Sequence, residues 1–233
     1  MPAPTALELL WGVERRPTRG PKPALTPERI VAEAIALADA DGLATLSMQR
    51  LAERLGFTKM SLYRYVPGKA ELVALMLDAG IGAPPELPAD DWRAALRRWC
   101  ETLYERFRAH PWALEVSVGS RPVGPNEMAW MEAALTALPG TGLTTAERLD
   151  SIVLLTGHAR SLGQQTVGVD PERFERDLAE QFTAMLPTVA ERYPATVAAF
   201  AEEGAAAGGD GALAFGIDRI LDGLAVLVDQ RGH

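Results

Sequence analysis

The chain has 233 residues, 48% hydrophobic and 23% charged, which excludes disorder over the whole length and fits one large domain or two smaller ones. Its 23 basic and 31 acidic side chains give a net charge of -8, which excludes bulk coating of nucleic acid but leaves room for a local basic face. A single cysteine, Cys100, excludes an internal disulfide framework and a cysteine-based zinc site.

The longest strongly apolar run is residues 152–155, far short of the ~20 that a membrane-spanning helix needs. The start, Met-Pro-Ala-Pro, carries neither the basic residues nor the apolar stretch of a signal peptide. A cytoplasmic protein without membrane contact is expected. Charge is uneven along it. Residues 1–82 hold ten basic and nine acidic groups, whereas residues 83–233 hold 13 and 22. Arg15, Arg16, Arg19 and Lys22 form an acid-free cluster, and between Gly42 and Lys69 five basic residues face Glu53 alone. A mildly basic front joined to an acidic remainder suggests two jobs, one of them meeting phosphates.

In chain order, six of the 17 prolines lie in residues 1–27, and residues 1–25 read as a flexible basic arm, with a short apolar piece at 7–11 able to dock as one helical turn. Thr26, Pro27 and Glu28 mark a helix start, and Ile30, Ala34, Leu37 and Ala38 share one face of a helix ending at Gly42. Ser47 caps a second, short helix that buries Met48, Leu51, Ala52 and Leu55 and stops at Gly56. Thr58 caps a third that ends before Pro67, and Lys69 opens a fourth. Pro84, Pro85 and Pro88 mark a boundary, dividing a domain at 26–82 from one at 83–233. Beyond it, Trp92, Leu96, Trp99, Leu103 and Phe107 recur at helical spacing until His110-Pro111. Further helices are expected over 126–138, 144–165, 171–186 and 213–230, with a flexible connection at 203–211 and no convincing strand. The fold class is therefore all-α.

Residues 47–55 and 58–65, joined at Gly56 and preceded by a support helix, form a helix-turn-helix pattern. Leu51, Leu55 and Leu62 must be apolar to share one small core, and Gly56 permits a tight reversal. The third helix then exposes Lys59, Met60, Ser61, Tyr63, Arg64 and Tyr65, residue types that contact phosphates and base edges. Lys69 is placed to grip backbone from the side.

The run Ser61-Leu62-Tyr63-Arg64-Tyr65-Val66, followed by Lys69-Ala70-Glu71-Leu72, narrows this further. With Gly42-Leu43, Ser47, Leu51-Ala52 and Leu55-Gly56, it resembles the DNA-binding domain of TetR-type repressors. Asp91-Trp92, His110, Gly119-Ser120-Arg121-Pro122, Gly157-His158, Ala214-Phe215-Gly216 and Gly223-Leu224 extend the resemblance to a tetracycline-repressor-type C-terminal domain. The resemblance implies a homodimeric repressor on a palindromic operator, with an N-terminal three-helix domain and a C-terminal helical bundle that binds a ligand and dimerises. It places Lys59, Met60 and Ser61 where base edges are read, and Gln49 and Arg50 where the preceding helix approaches bases and backbone. Ser47, Thr58, Tyr63, Arg64, Tyr65 and Lys69 complete the expected DNA contacts. An arm through Arg15–Lys22, an extension that the tetracycline repressor lacks in this form, either enters a minor groove beside this unit or is a solvated tail.

Four of the five tryptophans, Trp130 among them, lie within residues 92–130 and suit an aromatic-lined cavity, to which the resemblance adds Trp99, Leu103, Ser117, Ser120, Arg121 and His158; Gln164, late in the His158 helix, is placed to reach a ligand or the other subunit. The departures from the tetracycline repressor matter as much. Its metal-holding histidine reads Ser117 here, a polar asparagine reads Trp99 and a glutamine reads Ala133. A lipophilic effector is expected, with no metal, no cofactor and no magnesium–tetracycline response. For the dimer seam, Leu213, Ile217, Ile220, Leu224 and Leu227 recur at spacings of 4, 3, 4 and 3, and Ile152 and Leu155 lie in the helix expected beside them. An enzyme is not expected: there is no P-loop, dinucleotide fingerprint, Gly-x-Ser-x-Gly or His-Glu-x-x-His. The competing readings are a DNA-binding regulator without an effector and a helical ligand-binding protein without DNA binding. A cavity between the Trp99 helix and the His158 helix discriminates them.

Overall fold

A computed structural model describes residues 4–12, 24–165, 171–203 and 211–231. Among them there are twelve α-helices and no strand. The N-terminal part holds α1 (Ala6–Leu10), α2 (Pro27–Asp41), α3 (Met48–Leu55), α4 (Lys59–Tyr63) and α5 (Lys69–Ile81). There follow α6 (Trp92–Ala109), α7 (Trp112–Val116), α8 (Pro125–Thr136) and α9 (Thr145–Gln165). The last are α10 (Pro171–Val189), α11 (Pro194–Glu203) and α12 (Gly211–Arg231).

Local chemistry sets the boundaries. Thr26 accepts the Arg29 N–H at 3.3 Å and Pro27 opens α2. Ser47 accepts the Arg50 N–H at 3.2 Å, and Gly56, left-handed at φ 76°, ends α3. Asp91 accepts the N–H groups of Arg93 and Ala94, each at 3.0 Å, at the start of α6. Ile30, Leu37, Leu51, Leu62, Leu72 and Met76 are buried together, so α2, α3, α4 and α5 share one core. This core runs without a break into Leu96, Trp99, Leu103, Trp130, Ile152 and Leu155. Two helices were not legible in the pattern: α7 is one short turn after Pro111, and α11 lacks a clear apolar stripe. The apolar piece near the N-terminus docks on α5, with Leu10 buried and the Trp11 indole N–H donating to the Val123 carbonyl at 3.0 Å. Arg15, Arg16, Arg19 and Lys22 lie outside the described residues, as does most of the connection at 203–211.

Part of the α12 stripe faces into its own chain. Ile217 and Leu224 are buried within the chain, as are Ile152 and Leu155 of α9, while Leu213, Ile220 and Leu227 are half-buried against the same core. These residues hold α12 to α9 and α6 of their own chain. Arg93–Asp222 and Arg97–Asp218 ion pairs flank that packing. The outward faces carry a second set, led by Val153 at 65% exposure and Phe215 at 63%, with Leu154 and Val226 also exposed. A helix with two apolar faces presents the same periodicity whichever face turns inward.

Candidate functional site

Two regions concentrate functional side chains. The first is the face made by α3 and α4. Thr58 caps α4 by accepting the Ser61 N–H at 3.3 Å, and its hydroxyl lies 2.9 Å from that of Ser61. Leu62 is the buried anchor of α4, and Met60 is 72% exposed, with Lys59 and Arg64 exposed beside it. The Lys59 ammonium sits 5.5 Å from the centroid of the Tyr63 ring. On α3, Ser47 and Gln49 are exposed, and Gln49 donates to Glu53 at 2.6 Å. Arg50 is tied to Asp41 at 2.6 Å, and Lys69 reaches the Leu43 carbonyl at 3.4 Å. Ser61, Tyr63 and Tyr65 are half-buried at the margin.

The second region is a cavity of about 380 Å³, within the range of small-molecule sites. One wall is α6, through Trp99, Leu103 and Phe107. Another is α8, through Glu127, Met128, Trp130 and Met131, and a third is α9, through Ile152, Thr156 and Arg160. Ser117, Arg121 and Val123 close it from the segment after α7, and Ile81 from the end of α5. Hydrogen bonds fix the aromatic wall. The Trp99 indole N–H donates to the Trp130 carbonyl at 2.9 Å, the Trp130 indole N–H donates to the Gly82 carbonyl at 2.8 Å, and the rings meet edge to face at 5.5 Å.

The cavity is wired to the N-terminal helices. Glu127 takes a two-pronged pair from Arg121 at 2.6 and 2.5 Å. The Glu127 and Asn126 N–H groups donate to Asp78 of α5 at 3.2 and 2.9 Å, so Asp78 caps α8. Burial raises the Asp78 carboxyl above its ordinary range against the pull of these bonds. A second tie runs through α7, whose Trp112 donates to Asp39 of α2 at 2.7 Å, with His110 Nδ1 at 2.8 Å from the same oxygen. Burial pushes the Cys100 thiol up to about 12, so it carries no thiolate at neutral pH.

Residues 30–76 match the family described as "Bacterial regulatory proteins, tetR family", and residues 84–228 match "Tetracyclin repressor-like, C-terminal domain". The chain belongs to the TetR family. Among its relatives is an HTH-type transcriptional repressor, DrrR1, of Streptomyces coeruleorubidus, 43% identical over 97% of this chain and 86% of that protein. Apo ActR from Streptomyces coelicolor superposes with a TM-score of 0.75 at 27% identity, covering 90% of this chain and 99% of that one. ActR in complex with actinorhodin gives 0.74 at 28% identity, with 86% and 95% covered. Like its relatives, this TetR-family chain is a transcriptional regulator with a helix-turn-helix, and no helix among the described residues is long and apolar enough to cross a membrane.

Of the residues named for a ligand, Trp99, Leu103, Ser117, Arg121 and Trp130 line the cavity of this TetR-family protein, and Ser120, His158 and Gln164 do not. Helical geometry separates them. Ile152, Thr156 and Arg160 repeat every four residues and face inward, whereas His158 lies on another side of α9. Its Nε2 is 3.1 Å from the Leu213 carbonyl and its ring fills the space a Cβ on Gly216 would take, so it joins α9 to α12. Gln164 lies one turn beyond Arg160 and is exposed, and Ser120 is exposed in its loop. Phe107 is both core and cavity wall, while Trp92 is half-buried away from the cavity. Glu127, Thr156 and Arg160 were not foreseen. Their signal is an ionisable or polar residue in register with a buried apolar face, here Ile152 for the last two.

Proposed function

We propose that this chain is a homodimeric repressor that binds a near-palindromic operator through α3 and α4 and is released by a lipophilic small molecule in the cavity. The observation that carries this reading is that one cavity touches Ile81, the last residue of α5, while Lys69, the first residue of α5, adjoins the basic face. A ligand that displaces Ile81, or Glu127 against Asp78, moves α5 and with it the spacing of the two α4 helices of the dimer. Two half-sites must be met at once, so a small shift acts against the ~4–10 kcal/mol that separates specific from non-specific binding. The ligand must favour the non-binding state for this to work.

An open cavity favours this reading over a regulator without an effector, and the ActR complex with actinorhodin supports a small molecule as the effector class. Magnesium–tetracycline is disfavoured, because Ser117 Oγ is bonded to the Arg160 guanidinium and a second cation there would be repelled. The test is fluorescence anisotropy on DNA from upstream of the gene, against scrambled DNA, across salt. Lys59→Ala is expected to weaken binding roughly tenfold and, if Lys59 meets a phosphate, to reduce the salt slope by about one. Unchanged affinity in this variant would remove α4 as the reading element.

A further inference from the structure

Three charged side chains face the cavity, and they do not balance. Arg121 and Glu127 neutralise each other through two hydrogen bonds. Arg160 is left over. It forms no ion pair among the described residues; its terminal nitrogen donates to Ser117 Oγ and to the Leu114 carbonyl at 3.4 Å, both uncharged acceptors. Its Nε is buried with no partner at all. Burial, with Arg121 nearby, holds this guanidinium below its ordinary value, the mark of a cation short of counter-charge. Guanidinium has a fixed fork of donors that suits a carboxylate. The same cavity is lined by the rings of Trp99, Phe107 and Trp130 with Leu103 and Met131.

We infer that the cavity selects an amphipathic aromatic acid, its rings against the α6 and α8 wall and its carboxylate on Arg160 beside Ser117. This rests on the effector-binding reading above and narrows it: the effector is not merely lipophilic but anionic at one end. Arg160 acts as the specificity residue, because a neutral ligand of the same shape leaves its charge uncompensated in a part-buried site. Ser117 holds the guanidinium in place and can turn its hydroxyl proton toward the incoming oxygen.

The test uses matched pairs of aromatic carboxylic acids and their primary amides, built on naphthalene and on anthracene, followed by quenching of tryptophan fluorescence in the full-length protein at pH 7.5. The acid of at least one pair is expected to bind roughly tenfold or more tightly than its amide. Arg160→Gln is expected to abolish that preference, so that acid and amide bind alike, and Arg160→Lys to retain part of it. Thermal melting of each variant reports whether it is folded, and the acid–amide comparison in the unmodified protein stands without any variant. Equal binding of acid and amide overturns the inference and leaves an uncharged effector in the cavity. An acid preference that survives Arg160→Gln also overturns it, placing the anion on another cation. Binding of no pair member overturns both this inference and the effector reading beneath it.

Discussion

Changing Val153 to Asp is expected to leave a folded monomer and to lower operator affinity at least a hundredfold. Val153 is 65% exposed on α9, beside Leu154, and on α12 Phe215 and Val226 are exposed as well. Isolated apolar residues on a surface need no explanation, but two helices that pack together and both present large apolar side chains outward form a patch of the kind that marks an interface. Gly157 and Gly223 lie on the same outward faces with open space around them, which lets another backbone approach closely. A two-fold interface would bring each Val153 near its own symmetry mate or the partner's α12. An aspartate there buries a charge in each subunit without a partner, which costs several kcal/mol. The chain itself loses nothing, since the side chain it replaces is exposed. A single subunit then contacts one half-site only, and the affinity that depends on two is lost. Sedimentation velocity reports the monomer and anisotropy the lost binding. A variant that stays dimeric and binds DNA normally would place the seam elsewhere.

Trp130→Ala is expected to have the largest effect on stability. The side chain is buried, packs edge to face on Trp99, and its N–H is satisfied by Gly82. Truncating a buried tryptophan costs about 3–5 kcal/mol, from lost burial and the space left behind. For a chain of this size that corresponds to a fall in melting temperature of roughly 6–20 °C. The Gly82 carbonyl also loses its donor, which loosens the connection between α5 and α6. Circular dichroism during heating measures this. A fall of less than a few degrees would mean that the indole is not the packed wall described above.

These two cases mark how far the sequence was legible. Where a residue's role follows from local chemistry, it could be read directly. Ser47, Gly56 and Thr58 set the ends of α3 and α4 by capping and by a left-handed glycine, and the exposure of Lys59, Met60 and Arg64 goes with Leu62 being the buried anchor of α4, while Ser61, Tyr63 and Tyr65, expected to be exposed, are half-buried. Where a role depends on which of two faces turns inward, periodicity is silent. The stripe from Leu213 to Leu227 satisfies a helical seam equally well against its own α9 or against another subunit, and the structure puts it against α9. The cavity falls between these cases. Trp99, Leu103, Ser117, Arg121 and Trp130 come together around it, drawn from three separate segments, and the resemblance and the tryptophan cluster rather than periodicity named them. Arg160 escaped notice because a cation on a helix ordinarily reads as solvated, and only the register of Ile152 and Thr156 turns it inward.

The central claim is that two copies of this chain read one symmetric DNA site. Selection of bound sequences from a random DNA pool, followed by mass measurement of the complex on the enriched site, tests it most directly. The account predicts an enriched near-palindrome whose half-site centres lie about one helical turn, ~34–36 Å, or a multiple of it apart, with the copies of the chain bound as symmetric pairs. Enrichment of nothing, or of a single asymmetric site occupied by one copy, would contradict it.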